Sequence, residues 1–387
     1  MLLVKWLSKS ILAQAVTSLM ETSRAIPFND LYHQVSHTKP RHPRDLRTWD
    51  LHTRDETVPA TCTNPDQRRE WRSLNTTEQE EYISAVKCLA TKPSRLNLTT
   101  TLYDDFPYVH NELNSKSQYK HLQNPDIFSN HTPTNIQTTV HFVASFLPWH
   151  RWFVHIYEQA LQDDCGLTSP MPYWDWSLDA GHLQDSPVLS GSPATGFGGS
   201  GPGGFVSPSR PNPLTSCVPD GAFANLTLAY YSGAARPHCL NRGFSDGLQQ
   251  DGTGANMSAH YYTPAFLANM TASNTNFAPF WRALEDGPHG AIHNALGGDM
   301  VPGTSPNDPL FMLHHAQVDR LWWLWQRADW PARAADFGGN RDPVVVEGET
   351  VDDAALGDPL VYLGLGADVT VEAVMTTENS LLCYAYE

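Results

Sequence analysis

Residues 308–325 read DPLFMLHHAQVDRLWWLW. Apolar residues spaced three and four apart predict a long helix from about Asn307 to Ala328, stopped by Pro331. The adjacent histidines, His314 and His315, differ by about 100° around such a helix and should not both face one site. His315 falls on a stripe with Phe311, Val318, Trp322 and Trp325, and His314 on one with Leu310, Gln317, Leu321 and Leu324. Both stripes are largely apolar, so periodicity alone does not choose between them. Asp319, one turn after His315, is placed to orient an imidazole or to pair with Arg320.

Three other segments place histidine in or beside a helix. They are FPYVHNEL with His110, VHFVASFLPWHRWF with His141 and His150, and PHGAIHNALGG with His289 and His293. His289 and His293 stand at i and i+4, on one helix face, where both imidazoles can reach one metal ion. The pair lacks the glutamate of HExxH, so zinc-protease chemistry is not indicated. His141 and His150 are nine residues apart and would lie on opposite sides of a continuous helix. They converge only if His141 precedes a helix opened by Pro148, a residue suited to the first helical position. His155 is nearly half a turn from His150 and reads as a structural or surface histidine.

Around these segments the chain is mostly helical with long loops. In residues 68–90 a capping box, Thr77 with Glu80, introduces a helix that lines up Tyr82, Val86 and Leu89. The helix carrying His150 ends at Gly166, a fitting left-handed cap. A short helix from Pro288 ends at Gly297-Gly298. Residues 179–222, rich in Gly, Pro and Ser, form a long loop region, and the tail from Val344 to Tyr386 supplies a few short strands. No internal repeat appears.

The 387 residues carry 25 Lys+Arg against 41 Asp+Glu, a net charge of −16. That balance argues against nucleic acid or an anionic membrane surface as partner. No run of 18 apolar residues occurs, so no transmembrane helix is expected. Six cysteines, at 62, 88, 165, 217, 239 and 383, include no CxxC and suit disulfides better than a zinc cluster, although their pairing stays open. Glycosylation triplets occur at Asn75, Asn97, Asn130, Asn225, Asn256 and Asn269. Together these favour a secreted, extracellular protein. Residues 1–25 read as a poor signal peptide or a mis-assigned start, and 26–60 as a polar arm or pro-segment before a catalytic domain at 61–387.

DPLFMLHHAQVD resembles the second copper signature of the tyrosinase and catechol oxidase family, in which the ligand is the second histidine, here His315. HFVASFLPWHRWF resembles the first copper signature, and PYWDW (172–176) and LCYAYE (382–387) resemble further family motifs. The likeness spans about Cys62 to Glu387. It implies a four-helix bundle holding two copper ions, one on His110, His141 and His150 and the other on His289, His293 and His315. His121 and His131 stay open as alternatives to His110. Imidazole suits copper, zinc, iron and nickel alike, but zinc is redox-inert, and family members use copper.

The implied activity is oxygen-dependent oxidation of o-diphenols to o-quinones, with o-hydroxylation of small monophenols as an addition. The implied partners are a small phenol and O2. Glu285, four residues before His289, corresponds to a glutamate that in similar enzymes holds a water for deprotonating monophenols; a solvated surface glutamate is the plainer alternative. The next position after His289 is often Asn in efficient tyrosinases. Here it is Gly290, which weakens the case for hydroxylation, and Asn294 is left to substitute for it or to touch substrate. Tyr108 and Thr139 stand two before His110 and His141, so the cysteine–histidine thioether of some relatives cannot form there. The chain stops at the Tyr384/Tyr386 motif, like the short secreted fungal branch without a covering domain. Phe311 is expected on a ligand imidazole, and the helical tryptophans in the core. A full tyrosinase, a non-catalytic oxygen carrier and a zinc hydrolase are the rival readings.

Overall fold

The structure, a computed structural model, describes residues 62–114, 140–201, 216–245, 257–343 and 352–387, all within the compact unit Asp50–Glu387. The expected leader and arm, His121, His131, Asn130 and Asn256 lie outside the described residues.

The mainly helical reading holds. Helix α1 (Thr76–Leu89) buries Tyr82, Val86 and Leu89 as expected, but its capping box is Asn75 with Glu78, two residues before the predicted pair. The asparagine oxygen accepts from the Glu78 amide and the Glu78 carboxylate accepts from the Asn75 amide, so the first turn has its donors satisfied there. Helix α2 (Leu102–Asn114) packs Phe106 against Phe153 and Tyr157 of α3 (Phe146–Cys165). Helix α3 begins at Phe146, not at Pro148. The proline sits inside the first turn, where a missing N–H costs nothing. At the far end Gly166 (φ 72°) caps it as expected.

Helices α4 (Pro264–Ser273) and α5 (Phe277–Leu284) follow. The helix expected to start at Pro288 instead continues α5: a π turn, Glu285–His289, joins it to α6 (Gly290–Leu296). Pro288 has no N–H to give the preceding turn, and the Gly290 amide closes a wider ring onto the Glu285 carbonyl. Helix α7 (Leu310–Ala328) ends where predicted. Every residue from Leu310 to Trp322 is buried, which is why neither of its stripes stood out as the inner one. Phe280 of α5 stacks on Trp325 of α7 with centroids 4.8 Å apart.

Short strands close the structure. β1 (Asp66–Arg68) pairs in parallel with β6 (Tyr384–Tyr386), β2 (Thr227–Tyr231) antiparallel with β3 (Ala234–Cys239), and β4 (Pro359–Leu360) with β5 (Val369–Thr370). The six cysteines form three disulfides, Cys62–Cys383, Cys88–Cys165 and Cys217–Cys239. The first ties the segment before β1 to the one before β6, and the second joins the ends of α1 and α3.

Asp319 does neither thing expected of it. It accepts from Arg151 of α3 and from the hydroxyls of Tyr384 and Tyr386, and Arg68 lies 3.6 Å away. Arg68 also binds Glu158 at 2.6 Å. This buried network locks α3, α7 and the two terminal strands together. Arg320 lies instead 3.5 Å from Asp175.

Candidate metal centre

Two histidine clusters meet between α2, α3, α6 and α7. In the first, His110, His141 and His150 bring ligand atoms within 4.8 Å of one another. His110 projects from α2. His141 lies in the turn before α3 and His150 one turn inside it, so the break ahead of the helix brings the two together. Each ring is fixed through Nδ1: His110 on the Gly303 carbonyl (2.6 Å), His141 on the Asn114 side-chain oxygen (2.8 Å) and His150 on the Phe146 carbonyl (2.8 Å). With the proton held at Nδ1, Nε2 keeps its lone pair for the centre of the cluster. The Nε2 atoms of His110 and His150 face each other at 3.3 Å.

The second cluster contains His289, His293, His314 and His315, again with ligand atoms mutually within 4.8 Å. The Glu285 carbonyl, which already accepts from the Gly290 amide, also accepts from His289 Nδ1 (3.0 Å), while His293 Nδ1 is held by the Met300 carbonyl (2.6 Å). The rings of His289 and His293 meet edge to face at 4.5 Å. His314 joins this cluster, contrary to the expectation that neighbours on a helix cannot share a site. His289 and His293 each lie near both α7 histidines: His289 is 5.4 Å from His314 and 5.2 Å from His315, and His293 is 4.8 Å and 5.7 Å from them.

The clusters adjoin. His150 stacks on His315 at 4.3 Å, and His141 on His289 at 5.7 Å. Phe146 lies against His150 and His289, both at 4.8 Å, and Phe311 against His315 (4.1 Å) and His110 (5.1 Å), as expected for Phe311. Burial holds these imidazoles neutral: it pushes His110 down to about 3 and His293 down to about 4, and the others well below the usual histidine range. Neutral imidazole is the ligating form. Nε2 of His289 and His293, and both ring nitrogens of His314 and His315, are buried without a hydrogen-bond partner among the described residues. Buried polar atoms are normally satisfied. A donor set of neutral nitrogens left open at the centre fits a pair of imidazole-loving metal ions.

Glu285 is not the solvated surface residue of the plainer alternative: it is 2% exposed. One carboxylate oxygen accepts from the Phe142 amide at 2.8 Å; the other has no partner among the described residues. Burial raises its pKa well above the usual carboxylate range. Phe142 holds a positive φ of 59°, uncommon for a bulky residue, and its ring is exposed. Gly290 is helical, and a Cβ there would stand in contact with the Glu285 carbonyl oxygen at 3.4 Å, so the backbone accepts a Cβ. Asn294 is exposed and makes no hydrogen bond to Glu285 among the described residues. His141, His293 and Gly290 are partly buried, and Phe142 and Val301 are exposed beside this side of the site.

Sequence reading passed over Asn114, Phe146 and His314. Asn114 stands four after His110, and Phe146 four before His150, so same-face spacing would have found both. The Gly303 and Met300 carbonyls carry no such signal. His155 is structural: it stacks on Trp152 at 4.9 Å beside Glu158. All six cysteines are in disulfides, so none is free to link to a histidine.

Two adjoining, buried histidine clusters in a helical bundle could hold a pair of metal ions. The common central domain of tyrosinase matches residues 100–328. The tyrosinase-like protein phomQ1' of Diaporthe leptostromiformis is 40% identical over 339 residues, 85% of this chain and 82% of its own. The N-acetyl-6-hydroxytryptophan oxidase ivoB of Emericella nidulans is 29% identical over 373 residues, 84% of this chain and 93% of its own. Among solved structures, a glycine-to-asparagine variant of a polyphenol oxidase from Thermothelomyces thermophila is 30% identical, with a TM-score of 0.64 over 84% of this chain and 89% of that one. The chain belongs to the tyrosinase family. It is a dicopper oxidase of that family, whose enzymes use phenols and O2.

Proposed function

We propose that the protein oxidises o-diphenols to o-quinones, with slower o-hydroxylation of small monophenols. In this reading His110, His141 and His150 hold one copper ion and His289, His293 and His315 the other. The observation that carries it is the pair of adjoining imidazole clusters with open ring nitrogens. Bound copper supplies the electron exchange with O2 that side chains cannot. Two catechols each give up two electrons and two protons, and one O2 becomes two waters.

The chain's own residues position the substrate and hold its proton. The partnerless oxygen of Glu285 is the acceptor best placed for a phenolic proton, directly or through a water, while the Phe142 amide fixes the other oxygen. Bound cations would act against the burial that raises this carboxyl. Asn294 has no part in holding Glu285 in this arrangement. The partly exposed His141, His293 and Gly290 leave the phenol ring an approach. We place the protein outside the cell: three disulfides suit an oxidising compartment, and the described glycosylation triplets at Asn75, Asn97, Asn225 and Asn269 are all exposed. No described helix is long and apolar enough to cross a membrane. Neither nucleic acid nor a membrane is a partner in this reading.

Oxygen uptake by the copper-loaded protein tests the proposal, with a small monophenol, its matching catechol and a 6-hydroxyindole as substrates. Uptake on the catechol is required. Preference for the hydroxyindole would move the protein toward ivoB in substrate, and reversible O2 binding without turnover would make it a carrier. Zinc retained in place of copper during copper-supplemented expression would favour a hydrolase.

Two substitutions probe the monophenol step. Glu285→Gln keeps the Phe142 contact but removes the proton acceptor; we expect monophenol turnover to fall roughly 10²-fold or more and catechol turnover much less. Equal losses in the two assays would contradict the proton-holding role. Gly290→Asn places an amide one residue beyond His289 on a backbone that accepts it, and should raise the monophenol-to-catechol rate ratio. An unchanged ratio would leave Gly290 without a part in selectivity.

A further inference from the structure

The second cluster has one histidine more than the first, and the structure gives it a use. His314 is fully buried, and neither ring nitrogen has a hydrogen-bond partner among the described residues. An unmet buried nitrogen is costly, and the structural His155, which also lacks a hydrogen bond among the described residues, at least has the Glu158 carboxylate 3.8 Å from its Nδ1. His314 has a ligand atom within 4.8 Å of those of His289, His293 and His315, with ring separations of 4.8 Å to His293, 5.0 Å to His315, 5.4 Å to His289 and 6.1 Å to Trp176. His315 stands 5.7 Å from His293 and 5.2 Å from His289. By these separations His314 is as well placed as His315 to complete a trio with His289 and His293. The two differ on their other side, since His315 also stacks on His150 of the first cluster.

We propose that His314 is an alternative third ligand, so that the second cluster can hold one metal ion through either of two histidine trios. The trio with His315 sets its ion beside the first cluster and serves the paired centre. The trio with His314 retains the ion when His315 is lost or displaced. This rests on the reading of both clusters as metal sites.

Zinc tests it without any turnover, because Zn2+ takes imidazole ligands and has no redox chemistry. The full disulfide-bonded chain is titrated with Zn2+ against a chromophoric chelator as wild type, His314→Ala, His315→Ala and the double variant. Wild type and His314→Ala should each bind two ions. His315→Ala should still bind two, the second weakened about 10- to 100-fold, the range that follows a disturbed ligand set. The double variant should bind one. If His315→Ala binds one ion, like the double variant, His314 is no ligand and the proposal falls while the reading of the clusters stands. If His314→Ala loses an ion and His315→Ala does not, His314 is the principal ligand, and the proposal is equally wrong. A wild type that binds fewer than two ions overturns the metal reading itself. Near-UV circular dichroism checks folding, and the Gln variants at both positions repeat the series with less change of volume.

Discussion

Replacing His150 by Gln is expected to reduce bound copper from two ions per chain to one and to bring catechol turnover to about a thousandth or less of wild type. The first cluster has three histidines and no reserve among the described residues. His150 joins it to the second cluster: its Nε2 faces that of His110 at 3.3 Å, its ring meets His141 at 5.0 Å, and it stacks on His315 of the other cluster. Glutamine nearly matches the imidazole in volume, and its amide can still reach the Phe146 carbonyl, so packing between Phe146 and Trp149 survives. What is lost is a neutral nitrogen donor, and two imidazoles seldom hold copper against solvent. Copper content by mass spectrometry and oxygen uptake should fall together. Unchanged turnover with both ions bound would remove His150 from the centre, and with it the proposed ligand set.

The largest loss of stability is expected at Asp319, away from the metals. Asp319→Ala leaves the Arg151 guanidinium, fully buried, without its carboxylate, weakens the setting of Arg68, and strips two tyrosine hydroxyls of their acceptor. Breaking a buried ion pair from one side costs about 3–5 kcal/mol, because the remaining charge stays desolvated. Arg151 keeps the Val374 and Met375 carbonyls, and Arg68 keeps Glu158, which holds the loss to that range. Asp319→Asn retains an acceptor for the tyrosines and should cost less. Urea unfolding with the disulfides intact measures both. A loss below about 1 kcal/mol for the alanine variant would show that the network is not what fastens β1 and β6 to α7.

Much of the chemistry was legible before the fold. The i, i+4 spacing of His289 and His293 reports a shared helix face, and nothing distant can change it. The same holds for α7, for its end near Ala328, and for the left-handed glycine that closes α3. Boundaries were less secure. The capping box read at Thr77 and Glu80 is formed two residues earlier by Asn75 and Glu78, and Pro288 reads as a helix start although it lies in a π turn inside a longer helix. Local signals name the residues able to cap or break, and packing of the turn selects among them.

The amino-acid sequence by itself determined the donor types, the helical setting of the histidines and the even cysteine set. The tertiary structure alone decided that His110 joins His141 and His150, that Glu285 is buried against the Phe142 amide, that Asp319 serves the terminal strands, and which cysteines pair. It also decided that both His314 and His315 turn inward, because α7 is buried on all sides over its first three turns. The division has one physical cause. Spacing along a helix fixes direction within a few residues, whereas convergence of α2, α3, α6 and α7 depends on contacts between residues up to some two hundred positions apart, such as His110 with the Gly303 carbonyl.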